Sequence, residues 1–276
     1  MFRRRESRGH GDGRAHGPSD AKPVGQPDAS YLRPYRDAVE AAGPVFEALL
    51  WHSRAYQQVR FKVMTDAIRG VIAAGHASRR PALDGRVVVD LGCGRGDYAA
   101  YLASEGIQIA RYIGVEAVPE LAVAARKTVA GLRGQDAESD AEADEALDAT
   151  IIEADFAADP VLIERLAAGG GEVFTLSGSL NTMDEGLARA VLERAWRGVS
   201  RVRRGVLAFN FLSSAYEGGL GSVATPARTG PDFGGPARRF DTLAMIEWAL
   251  TRSTSVAIRH DYLGGRDATI VMGAEA

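Results

Sequence analysis

Apolar and polar positions along the chain alternate between two periods, short apolar runs and helical stripes, and the succession predicts an α/β fold. Val87-Val88-Val89 is the pattern of a strand buried on both faces. Residues 111–116, 149–154, 173–176 and 205–211 read as further strands, with helix-length segments between them. Pro119 suits the first turn of a helix running to Arg133, where Gly134 can stop it. Asp159-Pro160 opens a short helix that ends near Gly169. Asp184 caps a helix whose apolar stripe is Leu187, Val191, Ala195 and Val199, and Asp241 caps another ending at Leu250. Two strand-like runs close the chain, residues 254–262 and 268–272; Gly264-Gly265 lies between them, and the pair predicts an antiparallel hairpin. Ahead of the first strand, residues 31–74 are helical in pattern and broken at Gly43-Pro44. Their stripe is Phe46, Leu49, Leu50, Val59, Val63, Ala67 and Val71, with Trp51, His52, Gln57 and Arg60 on other faces.

Composition narrows the class. The 276 residues are 46% hydrophobic and 25% charged, values of a soluble globular protein. The net charge of −3 gives no global basic field for nucleic acid, and no apolar run approaches the ~18 residues of a membrane span. Cys93 is the single cysteine; an internal disulfide is therefore excluded, and a reducing cytoplasmic setting is the expectation. It reads as a small loop residue, since no His or second Cys lies near it in sequence. Metal-ligand spacings are absent, and no metal is expected. Residues 1–28 are rich in Arg, Gly, His, Ser and Pro and read as a disordered tail. Arg3, Arg4, Arg5 and Arg8 form a small basic cluster there, either solvated or set against an acidic partner, and no apolar leader segment follows them. The expected organisation is this tail, an N-terminal helical segment over 29–80, and a domain over 81–276. Residues 135–148 carry seven acids and no base, which reads as a solvated insertion, and residues 213–236 form a long Gly/Pro/Ser-rich loop.

The chemistry concentrates in Asp90-Leu91-Gly92-Cys93-Gly94-Arg95-Gly96, between the first strand and a helix starting near Tyr98. Glycines let a backbone turn sharply and approach a ligand without Cβ obstruction. The dinucleotide fingerprint places its third glycine three residues after the second, where this chain has Asp97. The pattern acid-x-Gly-x-Gly-x-Gly instead resembles motif I of the class I S-adenosylmethionine-dependent methyltransferases. The terminal hairpin also suits that group and not the usual dinucleotide-binding fold. The likeness covers residues 86–272. It implies a Rossmann-like, doubly wound, seven-stranded sheet with a terminal antiparallel hairpin and an N-terminal helical lid.

The resemblance also assigns roles. S-adenosylmethionine is the implied cofactor, held by the loop residues Asp90, Gly92, Cys93, Gly94 and Gly96. Glu116, with Ala117 after it, ends the second strand twenty residues beyond Gly96 and would accept the ribose hydroxyls; the alternative is an ordinary solvated strand end. Asp155 would bond the adenine amino group and Phe156 would contact the ring, unless Asp155 is only a turn residue. Ser177 begins the segment that usually lines the reacting methyl, Leu176-Ser177-Gly178-Ser179-Leu180-Asn181. That segment lacks the Asn/Asp-Pro-Pro-aromatic tetrapeptide of amino-methylating enzymes, and paired glutamates of arginine methyltransferases are not evident. A small-molecule acceptor methylated on oxygen is the resulting expectation.

Catalytic candidates are His260, whose ordinary pKa of ~6.5 suits a general base, and Asn181. Trp51, Asn210 and Tyr262 are candidates for holding the substrate. A structural histidine and a core-filling tryptophan are the alternatives. Phe209-Asn210-Phe211-Leu212-Ser213-Ser214, Arg259-His260-Asp261-Tyr262-Leu263, Trp51, Gln57 or Gln58 and Arg60-Phe61 are similar to a group of bacterial methyltransferase-domain proteins. The acidic insertion and the long loop depart from that group. Two other functions stay open: a non-catalytic cofactor- or partner-binding module, and an RNA or protein methyltransferase.

Overall fold

A computed structural model describes residues 29–74, 83–132, 147–216 and 237–275. The basic cluster, the bulk of the acidic insertion, the Arg133-Gly134 helix stop and most of the long loop lie outside the described residues.

The strands are β1 (Val87–Leu91), β2 (Arg111–Glu116), β3 (Ala149–Glu153), β4 (Val173–Leu176), β5 (Val206–Ser213), β6 (Arg239–Phe240), β7 (Ser255–Arg259) and β8 (Asp267–Gly273). They form one sheet in the order β3-β2-β1-β4-β5-β8-β7, with the two-residue β6 pairing β5. β1 runs parallel to both β2 and β4. The chain therefore leaves β1 in one direction and returns on its other side at β4, so the sheet's switch point lies between these strands. The carboxyl ends of strands at such a point flank a crevice where ligands bind in open α/β sheets. β8 is antiparallel to both β5 and β7, which makes the predicted closing hairpin.

Helices α1 (Arg33–Ala42), α2 (Arg54–Ala74), α3 (Asp97–Ser104), α4 (Pro119–Leu132), α5 (Leu162–Ala168), α6 (Glu185–Val199) and α7 (Thr242–Leu250) complete the layers. Two apolar clusters occupy the faces of the sheet. One gathers Leu91, Leu176, Phe209 and Ile270 with Val191 and Ala195 of α6, and the other gathers Val88, Tyr112 and Val271 with Met64 and Ile68 of α2. Each such fully buried side chain contributes roughly 1.5–3 kcal/mol. Two predicted caps are present: Asp184 accepts from the Leu187 amide at 2.8 Å and Asp241 from the Ala244 amide at 3.0 Å; α5 instead starts at Leu162 with Val161 at its cap position, and Asp159 takes the Val161 and Leu162 amides in the turn before it. Such a cap is worth about 1 kcal/mol.

Three expectations need correction. The N-terminal segment breaks twice: a short 3-10 turn over Phe46–Leu49 and an extended stretch separate α1 from α2. Leu50, at left-handed φ 58°, and Val59 are exposed rather than packed on the sheet, while Gln57 and Arg60 are buried. The reason is polar: Gln57 and Arg60 have carboxylate partners, the half-buried Asp97 and the buried Asp267. The third concerns β7, which stops at Arg259, so strand alternation does not govern His260, Asp261 and Tyr262.

Candidate functional site

A cavity of about 420 Å³ opens at the carboxyl ends of β1, β2, β3 and β4. One wall is built from strand tips: Asp90 and the glycine loop after β1, Glu116 and Ala117 after β2, Asp155 and Phe156 after β3, Ser177 and Gly178 after β4. The N-terminal segment supplies the facing wall with Tyr31, Tyr35, Leu49 and Trp51, while Gln57 and Arg60 reach in from α2.

The loop backbone must turn at Gly94, whose φ is +57°; a Cβ there would stand 2.8 Å from Leu49 Cδ2. Only glycine holds that conformation without strain and lets the N-terminal segment close over the loop. Gly178 plays the same part opposite, at φ +78°, where a Cβ would meet the Trp51 ring at 2.9 Å.

Two buried carboxylates dominate the electrostatics. Asp90 accepts from Tyr112 Oη at 2.6 Å and from Thr175 Oγ1 at 2.9 Å. Burial nevertheless pushes its pKa up to about 6. Glu116 Oε2 accepts from the Gly94 amide and Oε1 from the Val118 amide, both at 2.8 Å. Burial raises its pKa to about 7, against the pull of those amides. A cation, or hydroxyl donors, brought into the cavity would return both groups toward ionisation. Asp155 is organised by the chain itself: Oδ1 accepts from the Ala157 and Ala158 amides at 3.0 and 3.1 Å, and Oδ2 from the Tyr31 hydroxyl at 2.5 Å. Ser179 Oγ is buried beside the loop with no partner among the described residues. A buried polar atom left in this way asks for a ligand or water.

The other candidates from the sequence divide between the cavity and its surroundings. Gly96 sits behind the cavity as the cap residue of α3, packed on Ala125. Asn210 is buried in β5; it accepts from the Gly178 amide at 2.9 Å and donates to Ser177 Oγ at 3.1 Å, and so fixes the β4 turn from behind. Asn181 lines the cavity, with its Oδ1 taking the Leu212 amide at 3.3 Å. His260 and Tyr262 do not line it. His260 Nε2 lies 2.8 Å from Ser213 Oγ, which is 2.6 Å from Thr242 Oγ1, and Tyr262 Oη pairs with Thr269 Oγ1 at 2.7 Å. Trp51 lines the cavity under the Arg60 guanidinium, 4.6 Å from its ring centre.

Sequence reading missed Tyr31, Tyr112, Thr175 and Arg60 as site residues. Tyr112 carried a usable signal, an aromatic hydroxyl on a buried strand paired directly with the acid-bearing one. Among the described residues no group of three or more His, Cys, Asp or Glu could hold a metal, and no helix is long and apolar enough to cross a membrane.

No protein-family model and no curated protein matches this chain. Solved structures do. A SAM-dependent methyltransferase from Leishmania major superposes with a TM-score of 0.54 at 11% identity over 87% of this chain and 82% of its own. The small RNA methyltransferase HEN1 gives 0.54 at 18% identity over 80% of this chain. The chain has the class I methyltransferase fold. Within that fold the cavity occupies the switch-point crevice, and the reversed β8 closes the sheet beyond β5. This chain spans 25% of the length of HEN1, so the likeness there extends to one region of a longer protein.

Proposed function

We propose that the chain is an S-adenosylmethionine-dependent methyltransferase whose acceptor is a small molecule methylated on oxygen. One observation carries the reading: the glycine loop, Glu116 and Asp155, widely separated in sequence, line one cavity with Asp90. The methyltransferase fold, matched over 87% of the chain, supports it.

The residues fit the cofactor's chemistry. On this reading Glu116 accepts the ribose hydroxyls, Asp155 and Phe156 bond and cover the adenine, and Asp90 faces the cationic end. Buried carboxylates with raised pKa values suit a ligand bearing sulfonium and ammonium charge, because that charge offsets their desolvation. Ser179 Oγ offers a further unfilled bond. When bound, the cofactor supplies a methyl group on a positively charged sulfur, a leaving group that needs no protonation.

The chain's own work is alignment and exclusion of water. Tyr31, Tyr35 and Trp51 cover the cavity from the N-terminal side, and the Ser177–Asn181 turn, held by Asn210, forms the acceptor wall. Fixing two reactants in line accounts for roughly 7–11 kcal/mol of a barrier. We assign His260 to holding the Ser213 turn instead of general-base catalysis, since it does not line the cavity and its Nε2 lies 2.8 Å from that hydroxyl. An acceptor oxygen already ionised at neutral pH needs no base.

Incubating the full chain with methyl-labelled cofactor and fractionated extract of the source organism tests the proposal. Label in the small-molecule fraction is expected. Label in RNA or protein would replace the acceptor class, and cofactor binding without any transfer would leave a non-catalytic module.

A further inference from the structure

Backbone amides orient the polar side chains of the turn after β4, and what those side chains have left to offer is donors. Asn210 Oδ1 accepts the Gly178 amide at 2.9 Å; that fixes its amide group and makes Nδ2 the donor to Ser177 Oγ at 3.1 Å. Asn181 is fixed in the same way, its Oδ1 taking the Leu212 amide at 3.3 Å. Its backbone carbonyl accepts from the Arg238 amide at 2.7 Å. Asn181 Nδ2 gives no bond among the described residues, yet it keeps accessible surface, and the cavity is the space that Asn181 lines. Ser177 lines the cavity too; it receives Asn210 and gives its own proton to no described residue. An amide nitrogen can only donate. The turn stands directly beside the glycine loop, where a Cβ on Gly92 would lie 2.7 Å from Ser179 Cβ, and the Trp51 ring lies against Gly178.

We propose that Asn181 Nδ2 and the Ser177 hydroxyl donate to the acceptor oxygen itself and so select oxygen over nitrogen as the methylated atom. The inference deepens the methyltransferase reading and rests on it. An acceptor oxygen has more than one lone pair. One forms the O–CH3 bond while the C–S bond breaks and its electron pair stays on sulfur; another receives the Asn181 N–H throughout. A carboxylate has no proton to lose in this step, and a hydroxyl loses its proton to solvent. A neutral amine has a single lone pair, which the new bond consumes, so Asn181 Nδ2 would face it unpaired. A site built to give hydrogen bonds rejects a ligand that leaves its donors unpaired.

Ligand-observed NMR titration of the full chain, with and without S-adenosylhomocysteine, reads this selection through three flat probes: benzoate, phenol and aniline. Benzoate or phenol is expected to bind roughly five-fold or more tightly than aniline; the tighter of the two assigns the oxygen to a carboxylate or a hydroxyl. Asn181→Asp keeps the oxygen that takes the Leu212 amide and turns the donor into an acceptor. Tighter aniline and weaker benzoate are expected in that variant, a gain that damage to the turn would not produce. Ser177→Ala, with Asn181 intact, is expected to narrow the preference for oxygen without reversing it. Aniline binding to the parent as tightly as both oxygen probes overturns the inference. So does failure of all three probes to bind, or a preference that neither variant alters. Oxygen preference without any S-adenosylhomocysteine binding would strike the methyltransferase reading. Binding of S-adenosylhomocysteine without the preference strikes this inference alone.

Discussion

The Tyr31 hydroxyl donates to Asp155 Oδ2 at 2.5 Å and ties the N-terminal segment to the tip of β3 across 124 residues of sequence. The other oxygen of Asp155 is committed to two backbone amides, so Oδ2 is the atom that the proposed adenine contact would share with Tyr31. Tyr31→Phe removes one charged hydrogen bond, worth about 1.5–3 kcal/mol, from the contact that closes the cavity. Faster release of S-adenosylhomocysteine by roughly ten-fold or more is expected in stopped-flow measurements. An unchanged rate would show that the tyrosine does not hold the segment shut.

Glu116 gives a stability prediction with a definite sign. Its folded pKa, about 7, lies above the ordinary carboxylate value, so the folded chain holds the proton more tightly than the unfolded one. Its contribution to stability is therefore present at acid pH and is lost as pH rises through about 7. Asp90 adds to the same trend up to about 6. Glu116→Gln removes the penalty, by up to roughly 3 kcal/mol at alkaline pH. The variant also sets an amide NH2 against one of the two backbone N–H groups that Glu116 accepts, a loss independent of pH, so its melting temperature should rise relative to the parent's by an amount that grows between about pH 5 and pH 8. Its cofactor binding should be lost. A gap independent of pH would refute the assignment.

Ligand binding should also expel protons. A cofactor carrying positive charge and hydroxyl donors lowers the pKa of both buried acids, so association near neutral pH releases protons to solvent. Titrations in buffers of different ionisation enthalpy should give different heats, with the sign of net release. Identical heats in all buffers would mean that neither acid meets the ligand.

Gly178→Ala places a Cβ 2.9 Å from the Trp51 ring at a left-handed φ of +78°. The backbone term alone costs about 1–2 kcal/mol. The displaced indole should report itself as a shift in tryptophan emission that disappears in a Trp51→Phe background. An unaltered spectrum would mean that Trp51 does not pack on this turn.

Arg60→Met leaves Asp267 charged and buried, with Arg239 and Arg266 as its remaining electrostatic partners. Breaking one side of a buried ion pair costs about 3–5 kcal/mol. With two other cations near, a loss at the low end of that range is expected in urea unfolding, and adding Asp267→Asn should restore most of it. Two losses that simply add would deny the coupling.

The elements were legible where one local signal decided them. Val87-Val88-Val89, the capping residues Asp184 and Asp241, and the glycine loop each state their structure within a few residues. What escaped sequence reading depends on distant partners. Arg60 and Gln57 look like solvent-facing positions on α2 until Asp267 and Asp97, 207 and 40 residues away, are brought beside them. Tyr31 is silent in sequence for the same reason. The two readings of His260, base or structural, could not be separated in sequence, because they depend on where β7 ends: it stops one residue earlier, at Arg259, and the ring lies against Ser213.

Isothermal titration of S-adenosylhomocysteine into the full chain asks most directly whether three strand tips make one adenosyl site. Binding in the micromolar range or tighter, abolished by Glu116→Gln and weakened by Tyr31→Phe, is the predicted result. No heat of binding from a folded chain, with S-adenosylmethionine equally inert, would contradict it.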